Sequence, residues 1–326
     1  INMSKSAILI LTQNTIERKI YLKTTLYFLF KNFNAKYKYP VIILHEGDYD
    51  NIAINEISTS IRKDCRYLIE FKKIDSSDFE IPKYIDEDKM NRCIKSVPVP
   101  YWRNKNYRLM CNFWINNFIK YCDNYDYIMR IDDDSIIEEP ICVDIFKIIE
   151  EKNFNYMSNI IHVDCSICNY GMKSFFEKIM PDKIDKIGDL FMEHTLDKSN
   201  PHFDRFKKLY FALNLEDYKN TSINMAMPIM YYNNFSVIRT SVWKSSEIKE
   251  IINKINENGN IFYCRWGDAP LQTIIMTLYD KDKLSKLEFK YSKRLQRESF
   301  KDDEGNYHSY MPGNYAENSC ISKNKK

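Results

Sequence analysis

The sequence predicts an α/β fold with a mainly parallel central sheet flanked by helices, and three observations carry that prediction. Short apolar runs and helical stripes alternate in β-α-β-α-β order between Ala7 and Ile74. A 326-residue chain that is 44% hydrophobic and 14% aromatic can bury a large core. A later apolar run, Tyr125 to Ile131, stops at three aspartates, Asp132, Asp133 and Asp134. That is the carboxyl end of a strand, where α/β sheets collect ligands. No internal repeat or composition shift divides the chain, so one compact unit is expected.

The elements follow in order. Ala7 to Leu11 (A-I-L-I-L) is short, apolar and followed by polar T-Q-N, which reads as a buried strand. Ile16 to Phe33 has helical periodicity. Pro40 to His45 is a second strand ending in the turn signal E-G-D. Ile52 to Ile61 reads as a helix and Tyr67 to Ile74 as a strand. Ile81 to Trp102, with prolines at 82, 98 and 100, is expected to be irregular. Tyr107 to Tyr121 places residues 107, 111, 114 and 118 on one helical face, a core stripe. Tyr125 to Ile131 is the strand that leads into the aspartates, Val143 to Glu151 a helix and Phe154 to Ile161 a strand. Ser174 to Leu215 reads as helices and loops. Phe235 to Arg239 is a short strand, Val242 to Ile255 a helix, and R-W-G-D-A-P at 265–270 a turn that opens a helix through Leu278. Leu287 to Tyr291 is a last strand before a polar tail.

Composition excludes several classes. A net charge of +3 lacks the basic excess of a nucleic-acid binder. No run of about eighteen apolar residues exists to span a membrane, and the N-terminus has no signal-peptide core. The nine cysteines are scattered rather than arranged as a disulfide framework. Cys165 and Cys168 form one C-x-x-C, but a zinc site needs two further ligands and no second pair follows.

Two motifs carry chemistry. Asp132 and Asp134 stand at i and i+2, so in extended backbone they would project to one side. Paired carboxylates suit a hard divalent cation, Mn²⁺ or Mg²⁺, which could bridge to a diphosphate. That is the D-x-D arrangement of nucleotide-sugar glycosyltransferases, although the motif alone is equally compatible with a polar turn. In R-W-G-D-A-P, Gly267 permits an unusual backbone angle or a close approach. Asp268 reads as a helix N-cap, with Pro270 in the first turn. Asp268 could also accept a hydrogen bond from a sugar hydroxyl, Arg265 could pair with a phosphate, and Trp266 could stack on a sugar or simply pack.

These motifs, in this order, resemble the fungal-type α-1,2-mannosyltransferases, glycosyltransferase family fifteen. N-A-K-Y-K-Y-P-V-I-I-L-H-E (34–46), I-P-K-Y-I-D-E-D-K (81–89), Y-R-L-M-C-N-F-W (107–114), Y-D-Y-I-M-R-I-D-D-D (125–134) and F-Y-C-R-W-G-D-A-P (262–270) are each similar to a family segment. The resemblance spans roughly positions 7 to 292. It implies a GT-A-type nucleotide-sugar transferase fold, a GDP-mannose donor, a Mn²⁺ ion, and transfer with retention of anomeric configuration in an α-1,2 linkage. It further implies that Asp132 and Asp134 take the places of the family's metal-site acids, Tyr107 and Arg108 those of donor-site residues, and Asp268 that of the acid of the W-G-D-A-P loop.

The chain also departs from the family. Ser236, in N-F-S-V, stands where the family has a glutamate proposed as nucleophile. Gln13 stands near the place of an arginine of the early strand, and Cys264 replaces a glutamate. The family's metal histidine follows the last strand in a Y-x-H-P-P context; here that strand leads into Y-S-K-R. The only histidine beyond it is His308, a candidate displaced metal ligand. Without the glutamate a front-face displacement is easier to accept than a double displacement. Arg108 and Arg265 are expected to help neutralise the phosphates.

The expected partners are a nucleotide sugar and a glycan acceptor, with no nucleic acid and no transmembrane segment. Residues 7–160 would form the nucleotide-sugar half, 161–292 the acceptor and catalytic half, and 293–326 a tail. The alternatives are a transferase using another nucleotide sugar, such as a UDP-sugar, and a catalytically silent glycan- or nucleotide-binding relative. Family members act in the secretory pathway behind an N-terminal anchor. A Golgi-like location follows if an anchor has been trimmed, and a cytoplasmic one otherwise.

Overall fold

The computed structural model describes residues 4–96, 103–201, 203–215, 221–293, 299–301 and 307–309. The first three strands, β1 (Ser6–Leu11), β2 (Val41–His45) and β3 (Ile69–Lys73), form where the apolar runs predict them. β4 (Tyr127–Ile131) leads through the aspartates into β5 (Ser135–Ile137). β6 (Tyr156–Ser158), β7 (Ile161–Val163), β8 (Phe191–Asp197), β9 (Ser222–Tyr231), β10 (Phe235–Arg239), β11 (Leu284–Lys286), β12 (Tyr291–Lys293), β13 (Ser299–Lys301) and β14 (Tyr307–Ser309) follow.

Seven strands make the central sheet, in the order β11-β6-β10-β4-β1-β2-β3. β1 pairs in parallel with β2 and β4, β2 with β3, and β6 with β11. Only β10 runs antiparallel, between β4 and β6. The sheet is therefore mainly parallel, and it draws β10 and β11 from the second half of the chain. Side chains alternate across it, as period two requires. Ala7 and Leu9 join a core beneath the helices Lys105–Asn112, Ser246–Asn258 and Asp268–Asp280. Ile8 and Ile10 join a second core beneath Ile16–Leu29, Asn51–Thr59 and Ile145–Glu151. Helices thus cover both faces.

The structure corrects several expectations. The stretch expected to be irregular holds a helix, Glu87–Ser96, which buries only Met90 and Cys93. Its strong polarity hid it between the prolines. Helix 107–121 is interrupted: Lys105–Asn112 is α-helical, then Phe113–Asn117 is a π-turn and Phe118–Cys122 a 3₁₀ turn. The 154–161 segment divides into β6 and β7. Within the supposed helices and loops of 174–215 lies β8, which pairs with β9. The expected strand at 287–291 is not formed: β11 ends at Lys286, 287–290 lie between strands, and β12 begins at Tyr291. Pro228 sits inside β9 where pairing passes from β8 (Ser222 to Pro228) to β7 (Ile229 to Tyr231), a junction that tolerates proline in a sheet.

Candidate active site

The aspartates do not continue β4 in extended form. Asp132 to Ser135 is a turn, closed by the Ser135 N–H donating to the Asp132 carbonyl at 3.1 Å. The Asp132 N–H donates to the carbonyl of Asn234, just before β10, at 3.0 Å. The turn sends the three carboxylates to different partners. Asp133 turns inward and accepts from Arg18 Nη1 at 2.9 Å and Thr12 Oγ1 at 2.8 Å. Burial, opposed by Arg18, pushes its carboxyl up to about 6. The Asp133 carbonyl accepts from Thr25 Oγ1 at 2.9 Å, so the first helix holds the turn from below.

Asp132 and Asp134 meet again through Lys293. The ammonium of Lys293 lies 3.2 Å from Asp132 Oδ2 and 3.1 Å from Asp134 Oδ1. Asp134 also lies 3.5 Å from Arg18 Nη1. Lys293 ends β12, whose register with β5 sets it opposite Ser135. Tyr291 Oη and Ser135 Oγ share a hydrogen bond of 2.6 Å across the same pair. The two aspartates do converge on one point, as expected, but through a turn rather than an extended strand, and a lysine stands at that point.

Arg130 joins the two motifs. It precedes Asp132 by two residues and shares the sheet face of Ile128. Its guanidinium is bonded to Asp132 Oδ1 at 3.0 Å through Nη2 and to Asp268 Oδ2 at 2.5 Å through Nη1. It lies 4.0 Å from the ring centre of Trp114, a cation–π contact. Asn233 Nδ2 donates to Asp268 Oδ2 at 2.8 Å and to Gln272 Oε1 at 3.0 Å. Gln272 Nε2 in turn donates to the Trp114 carbonyl at 2.8 Å. Arg130, Asn233, Asp268 and Gln272 are thus linked to one another by hydrogen bonds, as buried polar groups require.

Asp268 is the first residue of the helix Asp268–Asp280 rather than its cap, which is Gly267. Gly267 itself has an ordinary φ of −75°. Its need is for space: a Cβ there would stand 3.2 Å from Pro270 Cδ and 3.5 Å from Asp164 Oδ2. The unusual angle belongs to Arg265, at φ 69°, a strained conformation for a residue with a Cβ. Arg265 is 3.9 Å from Asp164 and 5.2 Å from the centre of the Tyr107 ring. Its buried Nε has no partner among the described residues. Trp266 packs rather than stacks on a ligand: it is 0% exposed and its indole N–H donates to the Tyr170 carbonyl at 2.8 Å.

The remaining candidates divide. Tyr107 is half-buried beside Arg265. Arg108 is fully buried, donating to the carbonyls of Phe262 at 2.8 Å and Arg103 at 2.5 Å. Burial, and Arg265 nearby, lower its guanidinium to about 10. It braces the segment before R-W-G-D-A-P instead of opening to solvent. Ser236 lies opposite Arg130 in the β10–β4 register. With Trp114, Arg130, Tyr156 and Gln272 it bounds a cavity of about 10 Å³, room for one water. His308 lies on β14, paired with Phe300 of β13 rather than in a loop, and its side chain is outside the described residues.

Sequence reasoning missed Arg18, Arg130 and Lys293. Arg130 was legible, since a strand residue two before Asp132 must share a face with it. Lys293 had a signal too, in the Y-S-K-R segment after the last strand. Arg18 had none, because only the fold brings the first helix under the turn.

The family described as glycolipid 2-alpha-mannosyltransferase matches residues 2–296. The O-glycoside alpha-1,2-mannosyltransferase omh1 of Schizosaccharomyces pombe is 23% identical, over 78% of this chain and 60% of its own. The alpha-1,2 mannosyltransferase KTR1 of Saccharomyces cerevisiae is 23% identical, over 76% of this chain and 58% of its own. The chain thus spans less than two thirds of the length of these curated relatives. The mannosyltransferase Ktr4p from S. cerevisiae, solved in complex with GDP, superposes with a TM-score of 0.69 at 17% identity, over 98% of this chain and 77% of that one. Core-mannan synthase A from Aspergillus fumigatus, solved in a Mn/GDP form, gives 0.68 at 18% identity, over 98% and 82%. At such identities the likeness shows the fold, which is of the GT-A type.

Proposed function

The chain belongs to the glycolipid 2-alpha-mannosyltransferase family, and from that membership we propose that it is a retaining glycosyltransferase that moves mannose from GDP-mannose to a hydroxyl of a glycan or glycoprotein acceptor, in an α-1,2 linkage. The observation that carries the reading is the union of the two motifs. A single guanidinium, Arg130, ties the acidic turn at the carboxyl end of β4 to Asp268 of R-W-G-D-A-P. GDP in the related Ktr4p structure supports the choice of base.

The roles follow from chemistry. The donor diphosphate lies over the acidic turn and Lys293. Arg265, whose Nε lacks a partner among the described residues, is a phosphate contact, and Tyr107 lines the same side. Arg108 positions the 262–268 segment. Asp268 orients the attacking hydroxyl, held in place by Arg130 and Asn233. Ser236 offers a hydroxyl and no carboxylate, so the acceptor attacks from the face that the diphosphate leaves. Positioning supplies much of the acceleration, and stabilising the departing diphosphate supplies much of the rest.

A Mn²⁺ or Mg²⁺ ion held by Asp132, Asp134 and His308 is the family expectation. The described residues do not fit it as they stand. Lys293 occupies the point on which both carboxylates converge, and the His308 side chain lies outside the described residues.

The test is thermal unfolding against GDP, UDP, CDP and ADP, each with EDTA and with Mn²⁺, followed by turnover of GDP-mannose with mannoside acceptors. A ligand of the native state raises the melting temperature by mass action. We expect a shift with GDP alone and transfer of mannose. A shift with UDP instead would overturn the donor. GDP binding without transfer to any acceptor would leave a glycan- or nucleotide-binding relative, the outcome that the missing carboxylate at Ser236 favours.

A further inference from the structure

We propose that Lys293 is the built-in cation of the donor site, its ammonium neutralising the diphosphate in place of a divalent metal ion. The inference rests on the reading that the cleft takes a nucleoside diphosphate sugar.

The fold fixes this lysine. β12 is hydrogen-bonded to β5 immediately after the acidic turn, and Lys293 lies opposite Ser135 in that register. Its side chain is 17% exposed, unlike a free surface lysine. The ammonium is held by one carboxylate on each side, at 3.2 and 3.1 Å.

The acidic side chains already have basic partners. The four carboxylates of Asp132, Asp133, Asp134 and Asp268 already face Arg18, Arg130 and Lys293. Four carboxylates against three basic groups leave one net negative charge, so what opposes a metal ion is the occupied place, not the total charge. A divalent ion must bind carboxylate oxygens at about 2.0–2.2 Å. Those oxygens face Lys293, so the ion would have to expel the ammonium or endure its repulsion at short range. A lysine suits the alternative, since it acts on phosphate as a compact point charge.

The transfer balances with this cation alone. The bond between the anomeric carbon and the phosphate oxygen breaks, and its electron pair leaves on the diphosphate. The acceptor oxygen forms the new bond to that carbon on the same face. Its proton passes to the departing diphosphate. Lys293 keeps its protons and stabilises the developing charge.

Two measurements test the proposal on the full chain. The first is calorimetric titration of GDP in EDTA and in Mn²⁺. The second is Mn²⁺ uptake without nucleotide, read from the spin resonance of free Mn²⁺. Wild type should bind GDP with affinities equal within about twofold in the two buffers, and should leave the Mn²⁺ signal unchanged. Lys293→Met should weaken GDP at least about tenfold in EDTA. Lys293→His should take up Mn²⁺ and make GDP binding depend on it. Lys293→Arg keeps the charge and should bind GDP in EDTA, which serves if the methionine variant does not fold. Mn²⁺ uptake by the wild type, or a tenfold loss of GDP affinity in EDTA, would overturn Lys293 as the cation and leave the glycosyltransferase reading intact. Wild type that binds no nucleotide in either buffer would overturn both.

Discussion

Arg130 is the residue on which the site turns. Three of its guanidinium nitrogens contact the carboxylates of Asp132 and Asp268, and its face covers Trp114. It is 5% exposed and Asp268 is equally buried. Removing one partner of such a pair leaves the other charge stranded, a loss of about 3–5 kcal/mol. Arg130→Met keeps the bulk against Trp114 and deletes the charge. We expect it to lower stability in urea by about that amount, and to disorder the R-W-G-D-A-P loop. Arg130→Lys should recover only part of the loss, because one ammonium cannot serve both carboxylates in the planar fork that arginine presents. A methionine variant within about 1 kcal/mol of wild type would show that the pair is dispensable.

At the scale of elements, the approach to the R-W-G-D-A-P loop is set by Gly259. It ends the helix Ser246–Asn258 in the left-handed region, at φ 73°, and its N–H donates to the Ile255 carbonyl at 3.2 Å. The chain then makes one short turn, Asn260–Tyr263, before Arg265. A Cβ at 259 would stand 2.7 Å from Tyr263 Cε2 and 3.1 Å from Ile85 Cδ1. The Tyr263 ring is not free to retreat, since its hydroxyl accepts the Asp86 N–H at 3.0 Å. Gly259→Ala therefore combines backbone strain with a collision, and should cost about 1–3 kcal/mol in urea or thermal unfolding. An unchanged melting temperature would mean that the turn relaxes around the methyl group.

Elements also decide how much was legible beforehand. β1, β2, β4 and β10 announced themselves because each is buried on both faces and reads as an apolar run. β8 did not, since its burial is broken by exposed Met192, Glu193 and Thr195. β9 was masked by Pro228, which its sequence context marks as a breaker and its pairing accommodates. Among the site residues, Asp132, Asp134 and Asp268 were legible as motifs. Their contacts were not, because Arg130 and Lys293 are ordinary basic residues until the sheet sets them beside the acids.

The whole molecule is knitted across its middle, and this bears on the expected division into halves at 160 and 161. β10 lies between β4 and β6, so the sheet of the first half is completed by a strand of the second. β6 pairs only with β10 and β11 among the described strands, and both lie beyond residue 161. The helix Asp268–Asp280 is buried from Asp268 through Leu278, and its Leu271, Ile274 and Ile275 join the core that holds Leu9, Trp114 and Ile128. A fragment of residues 1–160 would leave β6 without a partner and uncover that face of the sheet. It should show no cooperative urea transition, weak near-ultraviolet dichroism and strong binding of a hydrophobic dye, whereas the full chain should unfold in one transition at every probe. Cooperative unfolding of the fragment would mean that the first half is a domain in its own right. The site has the same dependence. Asp132 and Asp134 come from before the division, and Asp268 and Lys293 from after it. The candidate site therefore comes together only with the closed sheet, and a fragment that failed to fold would also carry its acidic turn without Lys293 and Asp268.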